Sequence, residues 1–172
     1  MVISALWLIG IILLGSIAFG AHQFAPWLPT WNKDLERFAN LAGLKQSDVV
    51  YDLGSGDGRV VFFIARRFQA KAVGVEVAIP LVIWSYLKKI VTGATLTTFL
   101  WKNFFKLDVS PASVIYVFGR PGTLGALLVD KFKRELRPGS RIVSYAFPLA
   151  GLVPEKIDKP TKNDLSLYLY RI

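Results

Sequence analysis

Residues 49–59, Val49-Val50-Tyr51-Asp52-Leu53-Gly54-Ser55-Gly56-Asp57-Gly58-Arg59, constrain what this chain can fold into more than any other stretch. Val49, Val50, Tyr51 and Leu53 are strand formers in a short apolar run. Gly54, Gly56 and Gly58 then let the backbone turn sharply and approach a ligand closely, because no Cβ stands in the way. The amides of Asp57 to Val60 open the next helix and present positive partial charge there. The whole reads as a buried strand, a tight glycine turn and a helix start.

Two ligands compete for such a turn. A dinucleotide fold wants Gly-x-Gly-x-x-Gly around a pyrophosphate. Here the spacing is Gly-x-Gly-x-Gly, and Asp52 and Asp57 flank it. Carboxylates repel a pyrophosphate and suit a ligand with a positive end, such as the amino group and sulfonium of S-adenosyl-L-methionine. One βα unit later, Lys71-Ala72-Val73-Gly74-Val75-Glu76 reads as a strand ending in an acid. A carboxylate at that place can accept both hydroxyls of a ribose. A glycine turn without any ligand is the remaining reading, and the matching acid at the second strand end weighs against it.

Asp-Leu-Gly-Ser-Gly-Asp-Gly-Arg followed by Gly-Val-Glu resembles the class I S-adenosylmethionine-dependent methyltransferases. The resemblance implies a cofactor site at Asp52, Gly54, Ser55, Gly56, Asp57, Gly58 and Glu76. It also implies adenine contacts at the third strand end, where Asn103 and Phe104 stand. Asn103 occupies a place where many class members have Asp. Relatives also tend to follow the acid with Asn-Pro, where this chain has Val77-Ala78-Ile79-Pro80.

The 172 residues leave room for about one domain. The absence of cysteine excludes disulfides, a thiolate nucleophile and a Cys-based zinc site. His22 is the one histidine, which removes most metal and His-triad mechanisms, so no metal is expected. Residues 2–21 carry no charge, and twenty helical residues reach about 30 Å, one hydrocarbon thickness. A cleaved signal peptide would need a positive n-region, which Met1-Val2-Ile3-Ser4 lacks. The expectation is a retained transmembrane anchor at 1–22, with Trp7, Trp27 and Trp31 placed as interfacial residues. A connector at 23–30, stiffened by Pro26 and Pro29, and a domain at 31–172 follow. All 21 Lys and Arg lie beyond the anchor, so a single-pass protein of the cell membrane with a cytoplasmic domain is expected.

An amphipathic helix is expected from Trp31 to Ala42, with Trp31, Leu35, Phe38, Ala39 and Ala42 on one face. Helices are expected at 60–68, 80–91 and 123–136, the last exposing Lys131, Lys133 and Arg134. Strands are expected at 71–77, 95–101, 113–118 and 141–147, with a terminal pair at 152–157 and 165–170. This order gives an α/β fold: a doubly wound, mostly parallel seven-stranded Rossmann-like sheet preceded by a transmembrane helix.

The anchor, the Pro-x-x-Pro connector, Val-Phe-Gly after the fourth strand and Tyr-Ala-Phe-Pro after the fifth narrow the resemblance. They are similar to the small membrane-anchored protein-lysine methyltransferases related to the mitochondrial ATP synthase c-subunit lysine methyltransferase and to archaeal broad-specificity enzymes. An N-methyltransferase acting on protein lysine is the function this implies. No Asn/Asp-Pro-Pro-Tyr type motif follows the fourth strand, which argues against DNA adenine and release-factor glutamine as acceptors. A lipid headgroup or quinone precursor is the alternative acceptor, and a non-catalytic cofactor-binding module is the second alternative. Methyl transfer needs no covalent nucleophile, so no catalytic residue is named. Phe118, Tyr145 and Phe147 are the candidates for an apolar channel that desolvates the acceptor amine. Core packing is the competing reading for each of the three and stands slightly ahead of the channel role. The net charge of +9 reads first as that of a solvated positive-inside domain, with attraction to anionic headgroups as an alternative. The basic residues are scattered and form no recognition motif, so nucleic acid is not expected as a partner.

Overall fold

The computed structural model describes residues 2–23 and 28–172, apart from the side chains of 2–5, 21 and 23. The Phe24, Pro26 and Trp27 part of the expected connector lies outside the described residues. Seven strands form one sheet in the order β3-β2-β1-β4-β5-β7-β6. They are β1 (Val49–Leu53), β2 (Lys71–Glu76), β3 (Thr97–Trp101), β4 (Val114–Phe118), β5 (Arg141–Tyr145), β6 (Lys156–Asp158) and β7 (Leu167–Arg171). The first five run parallel, while β7 pairs antiparallel with both β5 and β6. The class I methyltransferase, Rossmann-like sheet expected from the sequence is therefore present.

The central strands are buried because helices cover both faces. Four successive residues of β4, Val114 to Val117, are buried, as a parallel strand with two covered faces requires. One face takes α2 (Asn32–Ala42) and α3 (Arg59–Phe68), which bury Leu35, Phe38, Val61 and Ile64 against Val50, Tyr116 and Val143. The other takes α5 (Ala126–Glu135), with Leu128 and Phe132 against Ile115 and Ile142. The fourth helix, α4 (Ile79–Thr92), leans on the β3 edge, where the Tyr86 hydroxyl donates to the Phe99 carbonyl at 2.6 Å.

Two expectations about faces change. Trp31 precedes α2 and is exposed rather than part of its buried stripe. Lys131 is buried, not exposed: its ammonium donates to both Glu135 carboxylate oxygens at 2.7 Å and to the Leu107 carbonyl at 2.6 Å. Position 131 lies inside the stripe 128, 129 and 132, and these partners satisfy the charge that the stripe takes inward.

The N-terminal stretch is a helix, α1 (Val2–Gln23). Its end meets the domain: the Ile79 amide donates to Ser16 Oγ at 3.2 Å, and a Cβ on Gly20 would lie 3.2 Å from Val77 Cγ2. Arg120 also donates to the His22 carbonyl. Among the described residues no helix is long and apolar enough to cross a membrane. The stretch expected to be transmembrane is thus a helix, and a bilayer crossing is not shown by it.

Candidate functional site

The sheet reverses direction of growth between β1 and β4, where open α/β sheets bind ligands beyond their carboxyl ends. A small, solvent-open cavity sits there. Its wall is Asp52, Gly54, Ser55, Gly56 and Asp57 from the β1 turn, Arg59 and Val60 from α3, Tyr116 and Phe118 from β4, and Leu28, Pro29 and Thr30 from ahead of α2.

The turn is built on its glycines. Gly54 adopts φ +87° with open space where a Cβ would stand. Gly58 adopts φ +75°, and a Cβ there would lie 2.7 Å from Phe99 Cε1. Gly54 therefore leaves room at the cavity, whereas Gly58 leaves room for a core ring. Most amides of the turn are already used. Those of Gly54 and Ser55 donate to the Val75 carbonyl, and that of Gly58 to the Ser55 carbonyl. The Gly56 amide donates to Glu76 Oε2 at 2.9 Å. The turn thus offers close approach and acidic oxygens more than free N–H donors.

Asp52 is the decisive side chain. It is 3% exposed, and its Oδ2 is buried without a hydrogen-bond partner among the described residues, as is Ser55 Oγ. Burial pushes the Asp52 carboxyl well above the usual carboxylate range, and the charges of Glu76 and Asp57 push it the same way. An orphaned buried carboxyl group at a cavity wall suits a ligand that brings positive charge.

Asp57 differs from Asp52 although both flank the turn. Arg59 clamps it, with Nη2 2.7 Å from Oδ2 and Nε 3.0 Å from Oδ1. Burial pulls this carboxyl up, but the guanidinium outweighs that and holds it below its ordinary range. Arg59 Nη1 also donates to the Thr30 carbonyl at 3.1 Å, tying the segment ahead of α2 across the cavity. Thr30 Oγ1 and the Tyr116 hydroxyl share a buried hydrogen bond of 2.8 Å. Burial raises the Tyr116 phenol well above its usual range, so it stays protonated.

The remaining expected residues are placed as follows. Glu76 lies at the end of β2, with Oε1 accepting from the Val77 and Ala78 amides, both at 2.8 Å. Asn103 caps a single 3₁₀ turn, Phe104–Lys106, by accepting from the Phe105 amide at 2.9 Å. Phe104 is buried in the core. Phe118 lines the cavity, its ring centroid 5.0 Å from that of Tyr145. Tyr145 is not in the cavity wall: its hydroxyl donates to Asp34. Phe147 is 40% exposed and also outside the wall, because Ala146 takes φ +68° after β5 and turns the chain. Leu28, Pro29, Thr30 and Tyr116 carry no local signal for the site in the sequence, while Arg59 and Val60 were expected there only through the motif and the backbone amides of the helix start, not through their side chains.

The ANTKMT methyltransferase domain family model matches residues 52–156, from the buried aspartate to β6. The chain is 36% identical to a protein-lysine N-methyltransferase of Saccharolobus islandicus, over 86% of this chain and 93% of that one. It is 34% identical to the ATP synthase c-subunit lysine N-methyltransferase of Caenorhabditis elegans, over 72% of this chain and 67% of that protein. An RNA methyltransferase of Salinibacter ruber, solved with S-adenosyl-L-homocysteine, superimposes with a TM-score of 0.79 at 32% identity, covering 84% of this chain and 94% of that one. The cavity at β1 and β4, its cation-seeking aspartate and these likenesses agree: the chain belongs to the ANTKMT methyltransferase domain family and is a class I S-adenosyl-L-methionine-dependent methyltransferase.

Proposed function

We propose that this protein is a membrane-anchored N-methyltransferase acting on lysine side chains of a protein. The observation that carries the lysine reading is the 36% identity to a protein-lysine N-methyltransferase across 93% of that relative. The anchor rests on the uncharged stretch 2–21, which forms helix α1, and on the placement of all 21 Lys and Arg beyond it. In this reading residues 1–22 are a single-pass anchor in the cell membrane, 23–30 a connector, and 31–172 a catalytic domain on the cytoplasmic side.

The residues present fit the cofactor. Asp52 offers a buried, unpartnered oxygen to its positive end. Glu76, held in place by the Gly56, Val77 and Ala78 amides, keeps one acceptor site, on Oε2, for a ribose hydroxyl. When bound, S-adenosyl-L-methionine supplies an electrophilic methyl group. The protein's remaining task is to align a neutral amine with it and to exclude water. Phe118, Leu28 and Pro29 form an apolar side of the cavity. An ammonium loses hydration against such a wall, which lowers its pKa and favours the attacking, neutral form. Tyr116 remains a phenol and hydrogen-bonds to Thr30, so it orients groups and does not act as the base. Asp57 is neutralised by Arg59, which leaves Asp52 as the carboxyl group in the wall that is free to meet a cation.

The Salinibacter neighbour is named for RNA and the archaeal relative for lysine, so cofactor residues alone do not choose the acceptor. The test uses the cofactor carrying a radiolabelled methyl group, the full chain and membranes stripped of it. Products are then separated into protein, organic and nucleic-acid fractions. Label in protein supports the proposal. Label confined to the organic fraction would move the acceptor to a lipid or quinone precursor, and label in RNA would move it to nucleic acid.

A further inference from the structure

Helix α4 turns a wide apolar face outward. Ile83, Trp84, Leu87, Ile90 and Val91 are all exposed, Ile90 by 74% and Val91 by 85%. At 100° per residue these five positions fall within an arc of about 120°. The opposite side of the helix is committed inward. Val82 and Ser85 are buried, the Tyr86 hydroxyl bonds to the Phe99 carbonyl, and Lys89 bonds to the Thr97 carbonyl. The outward stripe is therefore not a misplaced core face. Isolated exposed apolar residues are ordinary, but a contiguous stripe of this size marks a contact surface.

The surroundings point to what covers it. The face is continuous with α1, whose Ser16 meets Ile79 at the start of α4. Gly20 of α1 rests near Val77, and the exposed Trp101 donates its indole N–H to that same Val77 carbonyl at 3.1 Å. Trp84 and Trp101 are the residue type that settles at the level of lipid headgroups. Lys88 borders the stripe, and Lys102 follows Trp101. Cations at the rim suit anionic headgroups and repel a symmetric second copy of the same face.

We propose that the outward face of α4, together with Trp101, lies in the interface of a bilayer containing anionic phospholipid. Helix α4 is then a second membrane contact, parallel to the surface, beside the anchor. The surface comes close to the functional site, because the β2–α4 junction carries both the α1 contact and Glu76. The catalytic cavity consequently sits at headgroup height. This inference deepens the membrane-anchored reading and rests on it for the position of α1.

The chain has no cysteine, so single nitroxide labels report one place each. Full chains carrying Ile90→Cys, Leu14→Cys or Leu127→Cys are reconstituted into vesicles of phosphatidylcholine and phosphatidylglycerol. Leu127 is exposed on α5, on the far face of the sheet. Collision with oxygen is compared with collision with a water-soluble nickel chelate. The expected result is oxygen-dominated relaxation at Ile90→Cys and nickel-dominated relaxation at Leu127→Cys. A label at Ile90→Cys as open to nickel as that at Leu127→Cys overturns the proposal, whatever α1 does. Leu14→Cys reports on the anchor separately: if it is nickel-accessible while Ile90→Cys is buried in lipid, the anchor reading falls and the α4 contact stands. Broadening at Ile90→Cys that disappears on dilution with unlabelled chain means a second copy covers the face, and also overturns it. As a second variant, Leu87→Glu with Ile90→Glu changes only exposed positions and should move a label at Val91→Cys out of the oxygen-rich zone.

Discussion

The Tyr145 hydroxyl at the end of β5 donates to Asp34 Oδ2 of α2 at 2.6 Å, across 111 residues of sequence. Asp34 is 1% exposed, and Arg37 donates to its other oxygen at 2.7 Å. The phenol is thus part of the joint between α2 and the sheet. Burial, and then the bond to Asp34, push its pKa above the usual tyrosine range.

Tyr145→Phe accordingly tests joint against channel. It leaves one buried carboxylate oxygen without its donor, which costs about 1–3 kcal/mol. The expected result is a lower thermal midpoint with kcat unchanged within about twofold. A tenfold loss of kcat in a stably folded variant would return Tyr145 to the substrate channel.

Asp52→Asn separates binding from stability. Asp52 binds its proton more tightly in the folded chain than in the unfolded one, because burial raises its pKa. The folded state therefore holds more protons from the ordinary carboxylate range upward, and this residue's contribution to stability falls as pH rises to the folded value. Replacing it by a neutral amide should raise the midpoint of the cofactor-free protein near neutral pH, by about 2 °C or more. The same change should weaken cofactor binding at least about tenfold, since the positive end loses its partner. Wild-type affinity should also increase with pH through the raised Asp52 pKa, and this dependence should be absent from the variant. Calorimetric titration in buffers of different ionisation enthalpy, wild type against Asp52→Asn, measures both.

Gly54 and Gly58 should respond differently to alanine, although both have positive φ. At Gly58 the new methyl meets the Phe99 ring, which is itself buried between Phe62 and Tyr86. Gly58→Ala should cost about 2 kcal/mol or more. At Gly54 the methyl meets nothing, and the cost is the backbone strain alone, about 1 kcal/mol. Its larger effect should be on cofactor affinity, because the methyl enters the cavity. Denaturant titration and cofactor binding on the two variants check the contrast.

The legible parts of this protein are those encoded locally. Glycine spacing and the flanking acids located the turn, and continuous apolar runs such as Val114 to Val117 located the buried parallel strands. The missed parts depend on contacts far apart in sequence. Thr30 enters the cavity wall through Tyr116, 86 residues away, and Arg59 reaches back 29 residues to the Thr30 carbonyl. Lys131 can be buried because Glu135 stands one helical turn on, but also because the Leu107 carbonyl arrives from another segment. No periodicity reveals such a partner. Phe118 and Phe147 look alike as aromatics at the ends of adjacent expected strands, but Phe118 is the last residue of β4, whereas β5 stops at Tyr145 and Ala146 takes a positive φ before Phe147.

That difference sets another expectation. Phe118→Ala removes an apolar wall at the strand end facing the reaction, and should lower kcat/KM for the acceptor about 10- to 100-fold. Phe147→Ala should change it by less than about threefold. Steady-state kinetics with saturating cofactor distinguish them, and equal effects would place Phe147 at the acceptor path.

Methylation of lysine at this cavity is tested by amino-acid analysis of the labelled protein fraction after reaction with wild type and with Gly56→Arg, which puts a long side chain into the cavity wall at a residue of φ +55°. Label recovered as methyl-lysine with wild type and absent with Gly56→Arg is the predicted result. Label on any other residue, or methyl-lysine formed equally well by Gly56→Arg, would contradict it.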